Sequence, residues 1–158
     1  MPPFHQLEEI NIFEATSLFD KLKNIGFSYV SLGLQLPQQR KVLSLFSDKN
    51  WEEVYRKNNW YDKDPIVRSA HSQFDSPIIW SATPLETKSS SCVAKNRLDV
   101  IDTTDGVSFC LQGKIYTFIV GLSSKDDRIS IMEKFVLSYS EIKETCYTIE
   151  DIVRHEKK

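Results

Sequence analysis

Histidine, methionine and cysteine are scarce in this chain of 158 residues, with three, two and three copies respectively. His5, His71 and His155 lie far apart, without metal-ligand spacing, and read as surface residues. Cys92, Cys110 and Cys146 are odd in number and widely separated. That argues against a disulfide framework or a zinc site and points to a reducing, cytosolic compartment. An excess of one charge is missing too. Twenty Lys and Arg face 22 Asp and Glu, for a net charge of −2, and both signs are interspersed, so no basic stripe advertises nucleic-acid binding by this segment. No run approaches the roughly 18 apolar residues of a membrane span. The opening MPPFHQLEEINIF carries acids and lacks the apolar stretch of a signal peptide. The length suits one domain with a sizeable core and is short for two.

What is present is an alternation of helical and extended patterns. Leu7, Ile10, Phe13, Leu18, Leu22 and Ile25 recur at helical spacing and stop at Gly26, a C-cap signal. FSYVSLGLQL and RKVLSLF read as a strand pair around Pro37. A helix is expected from Asn50 to Trp60, and a short one from Asp64-Pro65. Pro77 then precedes an apolar IIW, and Thr83-Pro84 opens a helical stretch towards Leu98. GVSFCLQ and KIYTFIVGL, parted by little more than Gly113, form a second hairpin pattern. A closing amphipathic helix carries Met132, Phe135, Val136, Tyr139, Ile142, Cys146, Ile149 and Val153 on one side. This order implies an α+β fold with an antiparallel sheet of about five strands and helices on both faces, able to enclose a cavity.

The richest stretch is KNWEEVYRKNNWYDKDPIVRSAHSQFDSPIIW. It sets indole donors, a phenol and a carboxylate among apolar residues, a mixture suited to recognising a small amphipathic molecule. Trp51 and Tyr55, four apart on a helix, project from one face. Trp60-Tyr61 either packs outside that helix or borders the same site. Each residue also has a structural reading: Trp51 and Tyr55 as core aromatics, Asp64 as an N-cap with Pro65 at the first helical position, Gly106 as a turn residue.

Taken together, Trp51, Tyr55, Asp64, Pro65, Trp80 and Gly106 resemble the signature of the autoinducer-binding domain of LuxR-type quorum-sensing regulators. Independent structural causes rarely reproduce six positions in order. The resemblance spans nearly the whole chain, so residues 1–158 are expected to form one autoinducer-binding domain. It implies an α/β/α sandwich holding an N-acyl-homoserine lactone between the sheet and the helices of one face, with no other cofactor and no metal. Trp51 would donate to the lactone carbonyl, Tyr55 to the acyl carbonyl, Asp64 would accept the amide N–H, and Trp80 would pack on the ring. Ile66, Val67, Ser108, Thr117 and Ile119 are expected walls for the acyl chain. Ser47 departs from the family, which often carries tyrosine there, and leaves extra room or a water site.

Family members normally join this domain to a helix-turn-helix DNA-binding domain, absent from this chain. The leading expectation is therefore a cytoplasmic, homodimeric ligand sensor that controls DNA binding through a separate domain. The alternative is a standalone domain that sequesters signal or inhibits a full-length regulator by heterodimerising with it. An enzyme acting on lactone or amide would need an activated nucleophile or metal-bound water. The sequence shows no constellation for either, and Cys110, in an apolar strand, reads as core.

Overall fold

The computed structural model describes residues 14, 16–35, 42–73 and 76–154. Helix α1 (Phe19–Ile25) ends at Gly26, whose φ of +127° suits glycine. The expected helix positions Leu7, Ile10 and Phe13, and the Pro37 turn, lie outside the described residues. Strands β1 (Tyr29–Gln35) and β2 (Val42–Phe46) follow, then α2 (Lys49–Lys57) and a 3-10 turn, Trp60–Lys63. Helix α3 (Pro65–Ser72) leads to a two-residue strand β3 (Ile78–Ile79) and a second 3-10 turn, Trp80–Ala82. Helix α4 (Lys88–Ile101), the hairpin β4 (Gly106–Gln112) and β5 (Thr117–Ser123), and the long α5 (Arg128–Arg154) complete the chain.

The five strands form one antiparallel sheet in the order β2-β1-β5-β4-β3. Strand period two sorts its side chains to opposite faces. Val30, Leu32, Leu34, Val107, Phe109, Leu111, Phe118, Val120 and Leu122 point to one side, where Ile131, Phe135, Ile142, Ile149 and Val153 of α5 cover them with α1. The alternate residues face α2, α3 and α4. The α+β sandwich with helices on both faces is thus as the pattern implied.

Two helix boundaries and one helix face differ from the sequence expectation. The helix expected to run to Trp60 ends at Lys57, and Trp60 begins the 3-10 turn. The fourth helix starts at the Thr87 cap, whose hydroxyl accepts from the Ser90 N–H. Thr83 instead donates to the Ile79 carbonyl and closes the Trp80 turn. The α5 stripe mostly covers the sheet, but Val136 is 66% exposed and joins Ile129 and Leu137 on the outside.

Helix α5 also fixes the main hairpin. Glu150 is fully buried and accepts from the backbone N–H groups of Lys114, Ile115 and Tyr116. A Cβ at Gly113 would fall 2.3 Å from its carboxylate, so this turn requires glycine.

Candidate functional site

Small residues hollow out the sheet face opposite α5. One cross-strand row runs Phe46, Ser31, Gly121, Ser108, Ile78, and the next contains Ser44, Gly33, Ile119, Cys110. Serine and glycine in the middle of these rows lower the floor where branched residues would fill it. Above the floor lie Trp51 and Tyr55 of α2, Tyr61, Ile66 and Val67, with Trp80 and Arg97 at one end. They enclose a cavity of about 50 Å³, room for a few waters. It borders an outer groove of about 260 Å³, with which it shares Tyr61, Asp64 and Val67.

Local structure aims each side chain. Asp48 caps α2 by accepting from the Trp51 N–H at 2.8 Å, and helical spacing then stacks Trp51 and Tyr55, with ring centroids 5.4 Å apart. Trp60 closes on Trp51 from outside at 5.6 Å, which resolves the Trp60-Tyr61 ambiguity: Trp60 packs behind the helix, and Tyr61 lines the cavity. Trp80 is held by its own turn. Asp105 accepts from the backbone N–H and the hydroxyl of Ser81, while the Trp80 indole donates to Ser108 Oγ at 2.9 Å.

Asp64 is both cap and site residue. Its Oδ1 accepts from the Ile66 N–H at 3.0 Å, capping α3, and its Oδ2 accepts from the Tyr55 hydroxyl at 2.8 Å. The same Oδ2 pairs with the guanidinium of Arg97, itself buried. Arg97 lies between two indoles, 5.3 Å from the Trp51 ring centroid and 5.4 Å from that of Trp80. Burial works against its charge, but the Asp64 carboxylate more than offsets that and the guanidinium is held protonated. Burial, and then the Asp64 charge, push the Tyr55 phenol well above its usual range. Burial and Asp62 push Tyr61 up to about 12. All three therefore act as donors near neutral pH.

Two buried polar atoms in the cavity wall have no partner among the described residues: the Trp51 indole nitrogen and the Tyr61 hydroxyl. Trp51 is 0% exposed, so its N–H cannot reach bulk water. An unpaired buried donor costs about 1–3 kcal/mol, and such groups gather where a ligand completes them.

Trp51, Tyr55, Asp64, Trp80, Ile66, Val67, Ser108 and Ile119 all line the cavity. Thr117 does not. It starts β5 beside the turn, where its hydroxyl donates to Gln112 Oε1. Ser47 is not among the residues lining this cavity, and its Oγ accepts from the Val30 N–H at 2.9 Å. Arg97 was missed, although Ser90, Val93 and Arg97 share the inner face of α4 at helical spacing.

The family model for the autoinducer binding domain matches residues 15–132, most of the chain. The chain belongs to the autoinducer-binding domain family. This autoinducer-binding domain also shares its fold with solved proteins of low sequence similarity. Against CepR2 of Burkholderia cenocepacia, described as an N-acylhomoserine lactone dependent LuxR family transcription factor, the TM-score is 0.55 at 16% identity, over 94% of this chain and 96% of that one. For Escherichia coli SdiA it is 0.67 at 13% identity, over 98% of this chain and 66% of SdiA. SdiA in complex with octanoyl-rac-glycerol gives 0.53 at 14% identity, over 79% of this chain and 51% of that one. Comparison with curated proteins gives no match. The domain thus spans about two thirds of SdiA's length or less. The family is one of ligand-binding regulator domains, and no helix among the described residues is long and apolar enough to cross a membrane.

Proposed function

We propose that this domain binds an acyl-lactone autoinducer of the N-acyl-homoserine lactone class in the cavity beneath α2, and controls DNA binding in the cytoplasm through a separate helix-turn-helix domain. The observation that carries the reading is the fully buried, unpaired Trp51 N–H beside an aromatic box and a carboxylate. In this reading Trp51 donates to the ring carbonyl and Trp80 packs on the ring. Asp64 faces the amide linkage, Tyr55 lies beside the acyl carbonyl, and the acyl chain runs past Ile66, Val67, Ser108 and Ile119 towards the outer groove. The ligand leaves chemically unchanged.

The domain further acts as a homodimer through the exposed Ile129, Val136 and Leu137 of α5. A standalone domain that titrates signal, or pairs with a full-length regulator, uses the same cavity, and a reading frame that ends at Lys158 would favour it.

Thermal melts with a panel of acyl-homoserine lactones test the binding. A hundredfold excess over Kd stabilises the folded state by about 2.7 kcal/mol, several degrees for a domain of this size. Mass spectrometry of the released ligand, against a boiled control, tests the absence of chemistry. A panel that shifts nothing removes the ligand class; ring-opened acid or free homoserine lactone above the control removes the pure binding role.

A further inference from the structure

Arg97 lines the cavity. Its side chain is a shared wall, with the inner cavity on one side and a second hollow of about 120 Å³ between Pro65, Ala94 and Leu98 on the other. Its guanidinium lies between the two indoles that would flank a ligand headgroup, and it already neutralises Asp64. With Tyr55, Arg97 and the Ile66 N–H bound to it, Asp64 has about three of its roughly four acceptor sites filled. A carboxylate so occupied has little left to gain from a ligand N–H. The unpartnered groups at this end are of the opposite kind, the Trp51 indole N–H and the Tyr61 hydroxyl, and they lie beside a guanidinium that carries five N–H donors.

We propose that Arg97 is a specificity-determining residue of the headgroup pocket, which donates to a ligand carbonyl and, by holding Asp64, makes the domain accept acyl lactones joined through an ester as well as those joined through an amide. The inference rests on the proposed acyl-lactone reading. The preferred headgroup is neutral and rich in acceptors, because the Asp64–Arg97 pair is itself neutral and a further buried charge would lack a partner.

A matched pair of ligands tests this: N-decanoyl-homoserine lactone and the ester in which oxygen replaces its amide N–H. Isothermal titration of the wild-type domain with each should show the ester bound at least as tightly as the amide, since the amide N–H finds no strong acceptor and burying it unpaired disfavours binding. In Arg97→Met, Asp64 regains its acceptor capacity, so the amide should be preferred by about tenfold or more while the ester weakens. A variant acting merely through stability would weaken both ligands alike and leave the ratio unmoved, which overturns the proposal. Should Arg97→Met not fold, the wild-type pair decides alone, for a preference of about tenfold or more for the amide also overturns it. Those outcomes leave acyl-lactone binding intact. If neither ligand binds the wild type, the acyl-lactone reading and this proposal fall together.

Discussion

The Trp80 indole occupies the space where a side chain at Gly106 would begin: a Cβ built there lies 2.6 Å from the ring. The glycine of the signature is therefore the counterpart of its second tryptophan, and the absence of a side chain on β4 lets the indole lie flat against the strand and reach Ser108. Alanine at 106 must push Trp80 towards Arg97 and the cavity. Overpacking of this kind costs about 1–3 kcal/mol. Urea unfolding of Gly106→Ala should show that loss together with an altered tryptophan emission, and a variant as stable as wild type would mean that Trp80 has room to spare.

Asp64 gives a second expectation. Removing one partner of a buried ion pair leaves an uncompensated charge and costs about 3–5 kcal/mol, whereas removing both relieves most of it. Asp64→Ala should lose about that amount, because the α3 cap goes with the ion pair. The double variant Asp64→Ala with Arg97→Met should recover part of the loss. A double-mutant cycle by denaturant titration measures the coupling; strict additivity would show that the two groups do not stabilise one another.

Much of this site was legible in the sequence because helix periodicity alone stacks Trp51 on Tyr55, and because Asp64-Pro65 announces a helix start whatever else the aspartate does. The floor was not. Ser31, Gly33, Ser108 and Gly121 form a hollow only once β1, β5 and β4 pair in their observed register, and β1 pairs with β5 from across the chain, with no connecting turn to announce that register. For the same reason Thr117 has the alternation of a wall residue but sits one step too close to the hairpin turn. Arg97 was hidden by its charge: a guanidinium on a helix is expected to face water, and only the Asp64 partner, 33 residues away, makes the inner position tolerable.

Glu150 offers a stability test far from the cavity. Three backbone N–H groups of the β4–β5 turn depend on this one buried carboxylate, and hydrogen bonds to a charged group contribute about 1.5–3 kcal/mol each. Glu150→Ala should lose at least about 3 kcal/mol, with Glu150→Gln retaining part of the difference. Equal stability of wild type and Glu150→Ala in urea would mean that the turn holds without it.

Alkaline pH should weaken the fold. Burial raises the Cys146 thiol from 9.0 to about 12, and burial with Asp62 raises Tyr61 from 10.0 to about 12. Both hold their protons more tightly folded than unfolded. Their contribution is therefore complete below about pH 9 and is lost as the pH rises towards 12. A thiol reagent at pH 8 should modify exposed Cys92 quickly and Cys146 only on unfolding. Rapid modification of Cys146 in the folded protein would contradict its burial.

The exposed apolar patch on α5 makes a prediction for association. Leu137 is 87% and Ile129 71% exposed, and such patches commonly mark interfaces. Sedimentation at micromolar concentration should show dimer, shifted to monomer by Leu137→Glu with little change in melting temperature. A wild type that stays monomeric at high concentration with acyl-homoserine lactone present would exclude this interface.

The most direct test of the cavity as a ligand site is the Trp51 indole N–H itself. In a proton–nitrogen correlation spectrum of labelled protein, the indole signals of Trp51, Trp60 and Trp80 can be assigned by single substitution to phenylalanine. Titration with acyl-homoserine lactones should move the Trp51 signal most, downfield, as its orphaned donor finds a carbonyl, with Trp60, behind the helix, moving least. Trp51→Phe should then weaken binding by about 1–3 kcal/mol. A Trp51 signal unmoved by saturating ligand that nevertheless raises the melting temperature would place the ligand elsewhere and contradict the account.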